Sequence, residues 1–205
     1  GARPSRRAAA ARRVWVEMQQ NAELASQGDG GLLVVLNEIK KLLARHPRLK
    51  VHLVGHSAGS ILLGALVGAN QASRSKPVQF ETCPMWAPAS PMDSYRTHYL
   101  PPFGPASLKQ FAVFNLTDRA EQDDDCANIY HKSLLYLVSH AFEKVLRKPW
   151  FRNADGEALL GMEKFVNALP APERPKELEM VLSPNSVPEG RPGSARATTH
   201  GSFDD

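Results

Sequence analysis

The feature that most constrains the fold is a glycine-flanked serine placed directly between an apolar strand and an apolar helix. Residues 51–54 have the composition of a short strand, and Gly55-His56-Ser57-Ala58-Gly59 follows them without a spare residue. Residues 61–67 are apolar on nearly every side and predict a buried helix. A sharp strand-to-helix turn strains the backbone of its central residue, and flanking glycines make room for it. Ser57 is therefore predicted to stand at the N-terminus of this helix.

The rest of the chain alternates short apolar strands with helices. Such alternation predicts the α/β class, with a mostly parallel sheet and helices on both faces. In sheets of this kind the chemistry collects at the carboxyl ends of the strands. The predicted strands are residues 51–54, 78–83, 111–114 and 178–182, and the predicted helices are residues 6–26, 32–45, 61–67, 93–99, 123–147 and 159–167.

Composition divides the chain into two parts, a basic helical segment over residues 1–30 and an α/β domain over residues 31–205. Residues 1–13 contain five arginines and no acid, whereas the whole chain has a formal net charge of +4. The basic character is therefore local, and no aromatic residue lies among these arginines. We read the segment as a solvated helix face and expect no specific nucleic-acid partner.

Other features favour a cytoplasmic protein that needs no cofactor. No apolar run approaches the roughly 18 residues of a membrane span, and no apolar signal-peptide core follows Gly1. The two cysteines, Cys83 and Cys126, make neither a disulfide framework nor a zinc site. We therefore expect reduced thiols and no metal.

A catalytic serine needs a base, and the base needs an orienting acid. His200 is the preferred base because it follows the last strand through a polar loop and has small neighbours. His52 lies inside a strand, and His56 is expected to be turned away from the serine beside it. His131 and His140 fall on a predicted helix and are read as partly buried helix residues.

The preferred acid is Asp118, because it comes directly after the strand that ends with Asn115-Leu116-Thr117 and so lies at a carboxyl end. Glu121 and Asp123 remain alternatives. The acidic run at residues 123–125 is explained better as the N-cap and first turn of the helix predicted to follow it.

Three segments resemble the α/β-hydrolase family. Gly55-His56-Ser57-Ala58-Gly59 looks like the nucleophile elbow after the family's fifth strand. Asn115-Leu116-Thr117-Asp118 stands where the family carries its catalytic acid, and Thr199-His200-Gly201-Ser202-Phe203 is similar to its histidine loop. The order of serine, acid and histidine along the chain is also the family's order. The resemblance covers residues 31–205 and matches strands five to eight.

This resemblance implies an esterase- or lipase-like serine hydrolase. Such an enzyme cleaves a carboxylic ester or related acyl bond of a small molecule through an acyl-enzyme. In its catalytic triad Ser57 attacks, His200 transfers the proton and Asp118 orients His200, while the N–H of Ala58 contributes to the oxyanion hole. The alternative is a non-catalytic hydrolase-like module that binds or regulates.

The chain departs from the family at both ends. The family has about four strands before the elbow, and the loop after the third supplies a second oxyanion donor, whereas only helices are predicted before residue 51. The chain also stops five residues after His200, where a final helix would follow. We therefore expect an incomplete domain in which the strand leading to Ser57 is an edge. Such a chain would need an N-terminal partner segment or would associate with itself.

Overall fold

A computed structural model describes residues 6–103, 107–126, 130–143 and 156–203 of the chain. Its strands are β1 (Val51–His52), β2 (Gly55–His56), β3 (Phe80–Trp86), β4 (Phe111–Leu116) and β5 (Leu178–Ser183). Its α-helices are α1 (Arg6–Ala25), α2 (Gly31–Arg45), α3 (Gly59–Ala72), α4 (Met92–Ser94), α5 (Asp118–Asp123), α6 (Leu134–Leu137) and α7 (Glu163–Val166). Two π-helical turns, Tyr95–Tyr99 and Val138–Phe142, continue α4 and α6, and a 3₁₀ turn spans Ala171–Glu173.

The strands form a parallel sheet flanked by helices, which confirms the predicted α/β class. The hydrogen-bonded order is β1, β3, β4 and β5, and β2 also pairs with β3. One row across the sheet runs through Gly55, Met85, Val113 and Met180. Because all the strands are parallel, their carboxyl ends lie at one edge of the sheet.

Of the strand predicted over residues 51–54 only β1 forms, and β2 lies in the motif that follows; both pair only with β3 among the described residues. Leu53 and Ser57 donate their N–H groups to Thr82 and Trp86 of β3. Strand alternation turns the backbone groups of His52 and Val54 the other way. The strand that leads to Ser57 is thus an edge within the described part of the chain.

The main core lies between this sheet and the helices that precede and follow β1. Met85, Phe111 and Val113 of the sheet are almost fully buried, and they belong to the same apolar cluster as Leu36 of α2 and Val67 of α3. Helix α3 buries four consecutive residues from position 64 to position 67, which confirms the second half of the predicted buried helix, whereas Leu62 is 42% exposed. This packing holds the amino end of α3 against the end of β2.

The basic N-terminal helix packs against the rest of the protein through one face of α1. Ala22 is buried, and the side chains of Trp15 and Gln19 both donate to Oε1 of Glu143, at 2.7 and 2.8 Å. The division of the chain at residue 30 stays a prediction. No helix among the described residues is long and apolar enough to cross a membrane.

The prediction of one long helix after the acidic run was wrong. Helix α5 comes first, and the side chain of Thr117 caps it by accepting the N–H of Ala120. The helix ends at Asp123, and Asp124 is extended. The next helix begins only at Leu134, where Ser133 provides the cap. The two hydroxyl caps outcompete the carboxylates because each accepts a backbone N–H of its own first turn. Residues 127–129 and 144–147 of the predicted helix lie outside the described residues.

Candidate active site

Ser57 occupies a strained turn at the point where the sheet passes into α3. Its φ is +50°, in the left-handed region that non-glycine residues rarely adopt. This conformation costs about 1–2 kcal/mol in an L-residue. Ser57 donates its N–H to the carbonyl of Trp86 at 2.9 Å, so the turn continues the pairing of the sheet. The strained serine predicted from the glycine-flanked motif therefore stands at the carboxyl end of its strand.

The carbonyl oxygen of Ser57 accepts three hydrogen bonds that hold the strained turn. The donors are the N–H of Ser60 at 3.1 Å, the hydroxyl of Ser60 at 2.7 Å and the N–H of Ala89 at 3.0 Å. Ser90 donates to the Ser60 hydroxyl through its own hydroxyl and its N–H. Ser60 and Ser90 are fully buried, so water does not compete for these bonds.

The two glycines that flank the motif differ in what they contribute. A Cβ at Gly55 would lie 2.7 Å from Sδ of Met85 and 3.0 Å from Cδ1 of Leu63. A Cβ at Gly59 would meet nothing within 4 Å. The expectation that both glycines make room is thus met by Gly55 alone, because only Gly55 faces the core.

We predict opposite effects for the matched substitutions Gly55→Ala and Gly59→Ala. Gly55→Ala should lower the free energy of unfolding by about 1–3 kcal/mol, the usual cost of overpacking. Gly59→Ala should raise it by up to about 1 kcal/mol, because alanine favours the helical backbone. Urea unfolding of both variants measures the two effects. A larger loss in Gly59→Ala than in Gly55→Ala would contradict this account of the turn.

His200 lies beside Ser57 although 143 residues separate them. Nε2 of His200 is 2.9 Å from Oγ of Ser57, and the histidine is 7% exposed. The main chain of His200 is held on both sides. Its N–H donates to Oδ2 of Asp124 at 2.9 Å, and its carbonyl oxygen lies 3.0 Å from Nε2 of His56. Since a carbonyl only accepts, Nε2 of His56 carries the proton in this contact.

Burial keeps the imidazole of His200 neutral. The pKa of His200 is lowered to about 4, mainly by desolvation and also by the neighbouring His56, while Asp124 acts in the opposite direction. A neutral imidazole at pH 7 can accept a proton through Nε2. Nδ1 of His200 is buried and has no hydrogen-bond partner among the described residues.

The preferred acid lies apart from the base. Oδ1 of Asp118 accepts the hydroxyl of Tyr136 at 2.6 Å, and Oδ2 accepts the side-chain amide of Gln122 at 2.5 Å. Within the described residues, no hydrogen bond joins Asp118 to His200. Asp124 is the carboxylate that the fold brings to His200, because α5 carries the chain six residues beyond Asp118 before it turns back.

Neither alternative acid lies in position to orient the histidine. Asp123 points to solvent, with its side chain 71% exposed, and lies 3.6 Å from Nε of Arg119. Glu121 is fully buried, and Oε1 accepts the hydroxyl of Ser133 at 3.3 Å. The pKa of Glu121 is raised to about 8, mainly by desolvation, with the hydrogen bond from Ser133 lowering it and the charge of Asp118 raising it, so the protonated form is favoured at pH 7.

Glu121 should make the stability of the fold depend on pH. Its pKa in the folded state, about 8, lies above its ordinary value of 4.5. Its contribution is therefore fully present below pH 4.5 and is lost as the pH rises toward 8, by up to about 1.4 kcal/mol per pH unit.

We predict that Glu121→Gln flattens this dependence. Glutamine keeps the size of the side chain and an oxygen for Ser133. Urea unfolding at several pH values between 5 and 8 measures the slope, with Glu189→Gln at an exposed position as the control. An equal slope in wild type and Glu121→Gln would show that Glu121 does not hold its proton.

The other residues considered for the site are Ala58, the predicted oxyanion donor, and three histidines that were not preferred as the base. Ala58 is the N-cap of α3, and in the described structure its N–H is used by neither the sheet nor the helix. His52 contacts Thr82 at 2.8 Å. His131 contacts Asp125 at 2.7 Å, and both are exposed. His140 contacts Tyr130 at 2.9 Å.

Sequence reasoning missed two residues of the site, Asp124 and His56. The signal for Asp124 was weak, because three consecutive aspartates suit a helix cap as well as an orienting acid. A stronger signal was Thr117, a good capping residue directly after the strand, which indicates a short helix before the acidic run. His56 had no sequence signal beyond its position next to the serine. Its ring lies 5.2 Å from that of His200.

An open cavity of about 750 Å³ lies beside the histidine loop. Aromatic side chains of Trp86, Phe114 and Phe203 line it, together with Arg191 and Arg196. Trp86 is also the residue whose carbonyl accepts the N–H of Ser57. The side chains of Met85, Tyr95 and Tyr99 do not line this cavity, because they are fully buried in the core.

Comparisons with protein-family models, with curated proteins and with solved structures found no match to this chain. The parallel sheet and its flanking helices are compatible with a hydrolase-like fold.

Proposed function

We propose that the protein is a serine hydrolase that cleaves a carboxylic ester or a related acyl bond through an acyl-enzyme. The observation that carries the proposal is the 2.9 Å contact between Oγ of Ser57 and Nε2 of a neutral, buried His200. A nucleophile within hydrogen-bond distance of a base is the central requirement of this chemistry. The strained backbone of Ser57 at the amino end of α3 also supports the proposal, since it presents the hydroxyl beside free N–H groups.

The reaction proceeds in two acyl transfers. Oγ of Ser57 attacks the carbonyl carbon of the substrate while Nε2 of His200 takes the hydroxyl proton. The N–H of Ala58 and the amino end of α3 stabilise the oxyanion that forms. The tetrahedral intermediate then expels the alcohol, which takes its proton from His200. A water molecule, deprotonated by His200, repeats the attack on the acyl-enzyme and releases the carboxylic acid and Ser57.

Asp124 takes the role of the acid in this proposal. Its charge raises the pKa of His200, which means that it stabilises the protonated imidazole formed during the attack. Its hydrogen bond to the main chain of His200 also fixes the position of the loop. Asp118 instead holds Tyr136 and Gln122, and so contributes to the structure around α5.

The cavity beside the histidine loop suits a small substrate with an apolar part. The rings of Trp86, Phe114 and Phe203 provide an apolar surface for an acyl or alcohol group. Arg191, Arg196 and one carboxylate, Glu189, line the same cavity, and the excess of one positive charge favours an ester that also carries an anionic group.

A non-catalytic binding or regulatory module is the second candidate. The observation that favours it is the orphaned Nδ1 of His200, because a catalytic histidine normally donates this proton to its orienting acid. In such a module the same cavity would hold a ligand that the protein does not cleave.

A fluorophosphonate probe separates the two candidates. We expect the probe to label the wild-type chain at Ser57, and Ser57→Ala to abolish both labelling and hydrolysis of a p-nitrophenyl ester. The loss in rate should be at least about 10³-fold, as for other triad serines. Ser186→Ala, at an exposed serine, is the control and should behave as wild type. Activity above about a tenth of wild type in Ser57→Ala would exclude a covalent mechanism at this residue.

The two candidate acids can be ranked by isosteric substitutions. Asp124→Asn should lower kcat by about 10²–10⁴-fold, because it removes the charge that stabilises protonated His200. Asp118→Asn should lower it by less than about tenfold, since asparagine keeps an oxygen for Tyr136. Steady-state ester kinetics of both variants provide the measurement. The reverse ranking would return the role of orienting acid to Asp118.

The open edge at β1 and β2 leads to a proposal about association. Val54 is 55% exposed at this edge, and its backbone groups point away from β3. Unpaired edge strands pair readily with another strand, from a second copy or from an N-terminal partner segment.

We predict that the chain associates through this edge in a concentration-dependent way. Val54→Lys should shift the chain toward the monomer, because an edge lysine blocks strand pairing. Val14→Lys makes the same change at an exposed site on α1, 66% exposed, and should leave the mass unchanged. Size-exclusion chromatography with light scattering measures the mass of each variant. A wild-type chain that stays monomeric at every concentration would contradict the prediction.

A further inference from the structure

A second concave surface lies at the opposite end of the sheet from Ser57. It is an open groove of about 1060 Å³ between the end of α2, the segment before β1 and the segment before β3. We call it the basic groove, because its charged lining is almost entirely cationic. Its cations are Lys40, Arg48, Lys50 and Lys76, and its one carboxylate is Glu81.

The groove is far from the candidate active site. Lys50 directly precedes β1, whereas Ser57 directly follows β2. Seven residues of extended chain span roughly 20 Å. A molecule in the groove therefore does not contact Ser57, and the groove is separate from the proposed hydrolase chemistry.

Lys40 is held in place by neutral partners. Its Nζ donates to the hydroxyls of Ser73 and Ser75, at 2.8 Å each. The two hydroxyls are 3.0 Å apart, so this segment forms a small polar wall around the ammonium group. Hydroxyl oxygens hold the lysine in position without neutralising its charge. The ammonium group of Lys40 is thus held in position in the groove, and among the described residues no carboxylate forms an ion pair with it.

The other charges in the groove leave it with an excess of positive charge. Among the described residues, no carboxylate forms an ion pair with the four cations that line it. Glu81 is paired with Lys109, which lies 2.6 Å away and lowers the pKa of Glu81 by hydrogen bonding. The carboxylate therefore stays ionised and is matched mainly by Lys109, a cation from outside the lining, with Lys50 of the lining as a more weakly interacting neighbour. A densely charged anion is the ligand that complements such a surface.

We propose that the basic groove binds a small soluble anion that carries two or more phosphate groups. Successive phosphates place several charges within a few ångströms, which suits four cations around one concavity. Extended peptides space their side chains at about 3.3 Å per residue and turn alternate ones away. The hydroxyls of Ser73 and Ser75 would add neutral hydrogen bonds to phosphate oxygens.

The shape and lining of the groove favour this ligand over two larger anionic partners. Lys40 is half-buried within the concavity, out of reach of a flat lipid surface. Nucleic-acid strands are usually held by aromatic side chains that stack on bases, and none is present among the described residues that line the groove.

Isothermal titration calorimetry with inorganic triphosphate tests the proposal on the full chain. We expect one saturable site at an ionic strength of about 0.15 M, where scattered surface charges are largely screened. A triple variant, Arg48→Gln, Lys50→Gln and Lys76→Gln, should weaken binding by about fivefold or more for each charge removed. Lys40→Gln alone should weaken it at least as much as any one of the three, because Lys40 is the cation held in position.

A second triple variant controls for net charge. Arg13→Gln, Arg174→Gln and Lys176→Gln remove the same charge from exposed sites outside the groove, and should leave the affinity within about twofold of wild type. Equal losses in both triple variants, or no saturable site, would overturn the proposal. Binding to vesicles of anionic lipid or to single-stranded nucleic acid that triphosphate does not displace would also overturn it. None of these measurements depends on hydrolase activity.

Discussion

The strained backbone of Ser57 is the constraint on which the site depends. A left-handed serine survives only where other contacts offset its cost, and here its carbonyl accepts bonds from Ser60 and Ala89. Those donors are fixed in turn by Ser90 and by the burial of α3. The packing that buries α3 therefore also holds the half-buried Ser57 at the end of β2.

Parallel strands bring the other two residues of the site to the same edge. Ser57 follows β2, Asp124 follows β4 by way of α5, and His200 follows β5 by way of a long irregular segment. That segment lacks regular secondary structure but is not loosely held. The side chain of Asn185 bonds backbone groups on both sides of the segment, and the hydroxyl of Ser183 donates to the carbonyl of Ala197. These side-chain hydrogen bonds take the place of strand pairing and hold the segment so that His200 lies beside Ser57.

The two ends of the sheet carry opposite kinds of site. At the carboxyl ends Ser57 contacts a neutral His200, and the loop that carries His200 also lines a cavity with aromatic side chains, which is the basis of the proposed hydrolase site. At the amino ends a held lysine lies among exposed cations, which suits binding of a charged ligand. About 20 Å separate the two ends of the parallel sheet, so a substitution at one site does not touch the residues of the other.

The sequence by itself determined the α/β class, the strained turn at Ser57 and the preference for His200. These follow from local patterns, namely an apolar strand, a glycine-flanked serine followed directly by an apolar helix, and a polar loop after the last strand. That Asp124 rather than Asp118 lies beside His200 is a property of the tertiary structure. Consecutive carboxylates look alike in sequence, whereas the cap on Thr117 sets where α5 begins and so which carboxylate reaches His200. Two further features are likewise properties of the packed sheet, namely the edge position of β1 and β2 and the clustering of the cations that line the basic groove. Both depend on which segments become neighbours in space.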